Sequence, residues 1–262
     1  MKIPDLLKKK KEKKKITMLT AYDFSFARIV DREGIDVILV GDSLGMVIQG
    51  HRNTLPVTLD EMIYHTRIVS RGVENAIVVA DLPFLSYQTS VPDAVRSAGR
   101  ILKESGAEGV KLEGGNPVLP QIRAMVSAGI PVMGHLGITP QSIHLTGGYK
   151  VQGTAPEAAK RIVTEAMAVE EAGAFALLLE GIPGSLSEKI SKKLSIPTIG
   201  IGAGKACDGQ VLVLYDLLGL YEEKIPKFVR RYANLGKLTK EAVSRYKTDV
   251  ENGKFPSSAE SY

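Results

Sequence analysis

The stretch "REGIDVILVGD" occupies residues 32–42. Gly34 precedes four apolar residues, Val37, Ile38, Leu39 and Val40, and the run stops on Gly41 and Asp42. A glycine just before such a run fits the left-handed residue that ends a helix. A continuous apolar run rich in β-branched residues fits a parallel strand covered by helices. Four further segments share this grammar: "RGVENAIVVAD" (71–81), "ESGAEGVKLEG" (104–114), "SAGIPVMGHLG" (127–137) and "EAGAFALLLEG" (171–181). Each has its glycine (Gly72, Gly106, Gly129, Gly173), its apolar run and its polar or titratable end. The repeat is one helix plus one strand.

Three more strands complete the count: "ITMLTAYD" (16–23), "IPTIGIGAG" (196–204) and "GQVLVLYD" (209–216). Eight βα units predict an α/β chain of the (β/α)8 TIM-barrel class, with a parallel eight-stranded barrel. "KIPKFVRRY" (224–232) and "TKEAVSRYKTDV" (239–250) read as one or two extra C-terminal helices. "TLDE" (58–61), "TAPE" (154–157) and "SLSE" (185–188) have the form of capping boxes, a hydroxyl followed three residues later by Glu. "SVPD" (90–93) is a weaker version, and "NP" (116–117) offers Asn as cap with Pro in the first turn. A doubly wound open sheet is the rival. Its fingerprint is missing, because in "GIGAGKA" Lys205 stands where G-x-G-x-x-G requires its third glycine.

The 262 residues are 44% hydrophobic and 24% charged, enough for one large core, and a single domain over 1–262 is expected. The net charge of +5 is local. Residues 8–15 hold seven Lys and one Glu, so the rest of the chain is close to neutral. Without interleaved Arg and aromatics, this Lys-rich N-terminal segment (1–15) reads as a solvated segment or helix end, and no nucleic-acid partner is expected. No apolar h-region follows it, so it is not read as a signal peptide. No stretch approaches the roughly 20 apolar residues of a membrane span. Cys207 is the single cysteine, has no CxxC partner and reads as a bystander; a reducing, cytoplasmic setting is the simplest expectation.

In such a barrel the chemistry sits at the C-terminal strand ends. Those ends carry Tyr22 and Asp23, Asp42 and Ser43, Asp81, Lys111 and Glu113, His135, and Glu180. Side chains alternate along a strand, so Lys111 and Glu113 share a face. Asp42 and Asp81 belong to consecutive units, where their carboxylates can converge. Two dry carboxylates repel unless a cation sits between them. Hard oxygen ligands without a Cys/His cluster favour Mg²⁺, with Glu113 acting through a water. The positive charge that Lys111 adds suits an anionic chelator such as a 2-oxo acid, whose adjacent C–H the metal acidifies. Glu180, behind four apolar residues, is the best-placed base. His135 reads as a pocket residue rather than a ligand. His51, His65 and His144 read as surface or supporting residues. Tyr22 either contacts substrate or fills the bottom of the barrel.

At these residues the chain resembles the ketopantoate hydroxymethyltransferase family. The resemblance is carried by "TAYD", "VGDSLGMVIQGHRNTLPVTLDEM", "ADLPF", "VKLEGG", "GHLGITPQS", "GGYKVQG", "IGIGAG" and "CDGQVLV", and runs over nearly the whole chain. It implies transfer of a one-carbon unit from 5,10-methylenetetrahydrofolate to 3-methyl-2-oxobutanoate, giving 2-dehydropantoate on the route to pantothenate and coenzyme A. It implies Asp42, Asp81 and, indirectly, Glu113 as Mg²⁺ ligands. It further implies Asp42, Ser43, Asp81 and Lys111 around the oxo acid, Glu180 as the base at C3, and a homo-oligomer, typically a decamer. Two features depart from the family pattern: the dense Lys run, and Tyr215 where a His is usual. The enzyme alternative is a Mg²⁺-dependent 2-oxo acid lyase of the isocitrate lyase or phosphoenolpyruvate mutase type, whose Cys-containing loop is not visible here.

Overall fold

A computed structural model describes residues 1–220 and 226–262. Eight strands form: β1 (Ile16–Thr20), β2 (Val37–Val40), β3 (Ile77–Asp81), β4 (Gly109–Glu113), β5 (Val132–Gly137), β6 (Ala176–Glu180), β7 (Thr198–Ile201) and β8 (Gly209–Leu212). They are parallel, in sequence order, and β8 pairs with β1 to close the barrel. All eight lie where the apolar runs placed them. The helices are α1 (Ile3–Lys11), α2 (Phe24–Arg32), α3 (Leu44–Val47), α4 (Leu59–Gly72), α5 (Val91–Ser105), α6 (Leu119–Ser127), α7 (Ile143–Thr146), α8 (Pro156–Glu171), α9 (Gly184–Lys193), α10 (Leu214–Leu218) and α11 (Leu235–Glu251).

Two compact units result, Met1–Val213 and Leu214–Tyr262. The first is the barrel. The second holds α10 and α11. The segment "GQVLVLYD" is strand only to Leu212 and helix from Leu214. α11 contains "TKEAVSRYKTDV", as expected. "KIPKFVRRY" is not a helix where it is described, and Lys224 and Ile225 lie outside the described residues. Val229 N–H closes a single turn on Pro226 O, while Tyr232 N–H is spent on Leu217 O, outside any helical ladder.

The predicted glycines hold at four of five places: Gly34, Gly106, Gly129 and Gly173 all have positive φ. Gly72 serves a different purpose. It is the last residue of α4, where an added Cβ would lie 2.8 Å from Phe24 O and 3.3 Å from Ala27 Cβ, so it permits close packing on α2. Two caps form as expected. Thr58 and Glu61 make a full capping box, and Ser90 Oγ accepts from Asp93 N. The other two boxes do not form. α8 starts at Pro156, whose fixed φ suits the first helical position, so Ala155 becomes the cap. α9 starts two residues earlier than "SLSE" requires, with Pro183 as cap. "NP" opens a 3₁₀ turn, Asn116–Val118, ahead of α6.

Period two divides the barrel interior into layers. Ile16 and Met18, Val37 and Leu39, Ile77 and Val79, Met133, Ala176 and Leu178, Ile199 and Val211 make one apolar cluster. Two residues further along the same inward faces stand Asp81, His135 and Glu180. The polar layer is therefore a continuation of the core strands, not a separate loop construction.

The other end of the barrel corrects the expectation for the Lys run. It is a helix end, but not simply a solvated one. Leu6 of α1 is buried in the apolar cluster, with Ile3 packed against it. Lys9 pairs with Asp36, and Lys10 Nζ lies 2.8 Å from Asp208 Oδ2. Lys15 Nζ donates to Cys207 O at 2.6 Å. Asp36 and Asp208 immediately precede β2 and β8, and each also accepts from a strand threonine, Thr17 or Thr198. Lys9 and Lys10 hold α1 against the strand starts.

Candidate active site

Strand register assembles the site. Asp81 lies directly opposite Lys111, Glu113 opposite His135, and Gly137 opposite Glu180. Neighbouring strands are about 4.8 Å apart, so opposite side chains on one face must meet. They do so as ion pairs. Lys111 Nζ is 3.0 Å from Asp81 Oδ1, and His135 Nδ1 is 3.5 Å from Glu113 Oε1. His135 Nε2 is 3.3 Å from Glu180 Oε2, and its Nδ1 is 3.2 Å from Lys111 Nζ. His135 thus bridges the expected base to the acidic cluster, as a pocket residue. Gly137, at φ +103°, lets the backbone of β6 come close, since a Cβ there would lie 2.0 Å from Glu180 O.

Asp42 lies two residues beyond β2, and its N–H donates to Asp81 Oδ2 at 3.0 Å. The Asp42 backbone thus reaches the Asp81 carboxylate, and Asp81 acts electrostatically on the Asp42 carboxyl. Ser43 follows, its Oγ 2.8 Å from the Tyr22 hydroxyl. Tyr22 consequently belongs to the site end of the barrel, not to its bottom. His65 Nδ1 lies 2.8 Å from Tyr22 O and supports that residue. Asp23 does not join the site; its carboxylate accepts from Phe26 N and caps α2.

Asp42, Asp81, Lys111, Glu113 and His135 are all buried, while the Glu180 side chain keeps 16% exposure. Burial pushes the Asp42 carboxyl well above its ordinary range, Asp81 and Glu113 add to this, and Lys111 and Gln141 oppose it. Asp81 is also raised by burial, against the pull of Lys111 and the Asp42 N–H. Burial acts upward on Glu113 too, but His135, Lys111 and the Gln141 N–H bring it below the ordinary value. For His135, burial and Lys111 push downward, and Glu113 and Glu180 outweigh them. Three dry carboxylates thus share one lysine and one histidine. Asp81 Oδ1, although ion-paired, has no hydrogen bond of good geometry. Three carboxylates with less positive charge than they need to balance them fit a hard divalent cation. Among the described residues no three His, Cys, Asp or Glu side chains form a metal-holding group. Mg²⁺ commonly takes only one or two carboxylates and completes its shell with water and substrate.

Two buried residues in this network escaped sequence reasoning. Tyr87 donates to Gln141 Oε1 at 2.7 Å and accepts from Glu113 N at 3.1 Å. Gln141 Nε2 donates to Asp42 Oδ2 at 2.9 Å. Both sit in loops after strands, carry no charge and follow no periodicity.

The family model described as ketopantoate hydroxymethyltransferase matches residues 1–258. The chain belongs to the ketopantoate hydroxymethyltransferase family. A 3-methyl-2-oxobutanoate hydroxymethyltransferase from Pelobacter propionicus is 58% identical over 99% of this chain and 96% of its own length. One from Clostridium botulinum is 56% identical, covering 97% of this chain and 92% of its own. Solved structures show the wider fold. A phosphonopyruvate hydrolase complexed with oxalate and Mg²⁺ superposes with a TM-score of 0.64 at 13% identity, over 99% of this chain and 93% of that one. A 2,3-dimethylmalate lyase of the PEP mutase/isocitrate lyase superfamily gives 0.62 at 16%, over 99% and 91%. At such identities the likeness concerns the barrel alone. This member of the ketopantoate hydroxymethyltransferase family therefore shares architecture, but not an assigned activity, with the lyases. No helix among its described residues is long and apolar enough to cross a membrane.

Proposed function

We propose that the chain transfers a hydroxymethyl group from 5,10-methylenetetrahydrofolate to 3-methyl-2-oxobutanoate, giving 2-dehydropantoate. The family match over residues 1–258 carries this reading. The arrangement at the strand ends supports it. Asp42 and Asp81 would hold a Mg²⁺ ion, and Glu113 would act on it through a water. The bound cation supplies the Lewis acidity that polarises the keto group and acidifies the neighbouring C–H. Lys111, fully charged against Asp81, pairs with the substrate's carboxylate. Ser43, aligned by Tyr22, donates to the oxo acid. Glu180 is the partly open carboxylate of the group and removes the C3 proton, with His135 beside it to accommodate the change in charge. The resulting C3 nucleophile forms the new C–C bond to the folate-borne methylene carbon. Water supplies the hydroxyl oxygen as tetrahydrofolate leaves.

The same reading places the protein in the cytoplasm as a homo-oligomer, a decamer by family resemblance, which light scattering measures directly. The functional test is product formation. Protein, 3-methyl-2-oxobutanoate, 5,10-methylenetetrahydrofolate and Mg²⁺ together should yield 2-dehydropantoate by mass spectrometry. Consumption of the oxo acid by C–C cleavage, without folate, would instead support the lyase reading.

A further inference from the structure

Gln141 lies in the 3₁₀ turn Pro140–Ser142 that follows β5, and it is buried. Its backbone N–H donates to Glu113 Oε2 at 3.0 Å. Its side-chain Nε2 donates to Asp42 Oδ2 and to Leu82 O, each at 2.9 Å. Its Oε1 accepts from the Tyr87 hydroxyl at 2.7 Å and from Gln88 Nε2 at 3.1 Å. The amide thus uses both of its donors and both acceptor sites. That settles its orientation. A flipped amide would set Oε1 against a carboxylate and a carbonyl, and an NH₂ against the amide of Gln88.

One residue therefore grips two of the site's carboxylates, one through its backbone and one through its side chain. Asp42 is in turn tied to Asp81 through its own N–H. The ends of β2, β3 and β4 and the turn after β5 are joined in one continuous network. Tyr87 closes it from behind, accepting from Glu113 N. None of these residues belongs to the apolar cluster below, and the bonds described link the carboxylates to one another. Groups that orient ligands from outside are worth about 10–100-fold in metal affinity.

We propose that Gln141 is a positioning residue that fixes the carboxylates of Asp42 and Glu113 relative to each other for a divalent cation. This rests on the assignment of those carboxylates to the metal. Tyr87 holds Gln141 in that role. The turn after β5 is thereby part of the metal site, although it supplies no ligand.

The test is direct Mn²⁺ binding by EPR to the full-length, metal-stripped protein, alongside its Gln141→Met and Tyr87→Phe variants. Thermal melts without metal run in parallel. Gln141→Met should weaken Mn²⁺ binding by about 10–100-fold, and Tyr87→Phe by a smaller factor in the same direction. A purely structural role would lower the melting temperature and leave the Mn²⁺ Kd in place. Kd values within about twofold of the parent for both variants would overturn the proposal; if Gln141→Met does not fold, Tyr87→Phe alone decides it. A parent that binds no Mn²⁺ removes the metal assignment itself, a different failure, and the proposal goes with it.

Discussion

Lys111→Met is the most informative single change. Lys111 is buried and touches Asp81 Oδ1 at 3.0 Å, with Asp42 and Glu113 also acting on it. At an effective dielectric near 20, that one contact is worth about 5 kcal/mol of attraction. Desolvation offsets part of it, and removing one partner of a buried pair costs about 3–5 kcal/mol. At about 2–4 °C per kcal/mol for a barrel of this size, the metal-free variant should melt about 10 °C below the parent. The deficit depends on pH with a definite sign. Asp81 is already raised above its ordinary value, and losing the lysine raises it further. A carboxyl whose folded pKa exceeds its unfolded value, about 3.9, loses stability as pH rises through the folded value. The penalty therefore shrinks on acidification and is largest from neutral pH up to the ordinary lysine pKa of about 10.4, above which Lys111's own contribution to the parent fades. Melts from acid to alkali read this out, and steady-state kinetics should show a higher KM for the oxo acid. Where Asp81 is ionised, Mn²⁺ binding should not weaken, because the cluster has lost a positive charge. A melting temperature within about 2 °C of the parent throughout would refute the argument, since no buried charge would then have been left unpaired.

Asp31 accepts from Glu74 N, Asn75 N and Nδ2, and Ala76 N, anchoring the turn before β3 to α2. Burial pushes its carboxyl upward, but these donors bring it below its ordinary value. Its contribution is thus present above the unfolded pKa and is lost as pH falls through the folded one. Asp31→Ala should cost about 3 kcal/mol in urea unfolding at neutral pH and much less in acid; an equal cost at both would contradict the assignment. Leu6→Ala, under the barrel, should cost about 3 kcal/mol of stability while kcat at 25 °C stays near the parent value. Loss of kcat in a fully folded Leu6→Ala protein would mean that α1 acts on chemistry and not only on closure.

The strands were legible because a parallel barrel strand is buried on both faces and shows itself as an unbroken apolar run. Val37–Val40, Ile77–Ala80 and Ala176–Leu179 are such runs, and their C-terminal neighbours belong to the polar layer. Helix starts were less legible, because a hydroxyl with a Glu three residues on is neither necessary nor sufficient. Pro156 displaced one cap, and α9 simply began earlier. Composition hid the meaning of the Lys run, since the acids that bind it, Asp36 and Asp208, are distant in sequence. Gln141 and Tyr87 were missed for a similar reason. Hydrogen bonds between loops depend on where the barrel brings those loops together, which no local pattern records.

The proposed mechanism turns on proton abstraction at C3 by Glu180 with the help of a divalent cation. Deuterium uptake at C3 of 3-methyl-2-oxobutanoate in heavy water, followed by proton NMR, tests it most directly. The parent protein with Mg²⁺ should exchange that proton without folate. Exchange should fall to background when the metal is chelated, in Asp42→Asn and in Glu180→Gln. Undiminished exchange in folded Glu180→Gln, or equal exchange with and without Mg²⁺, would contradict the account.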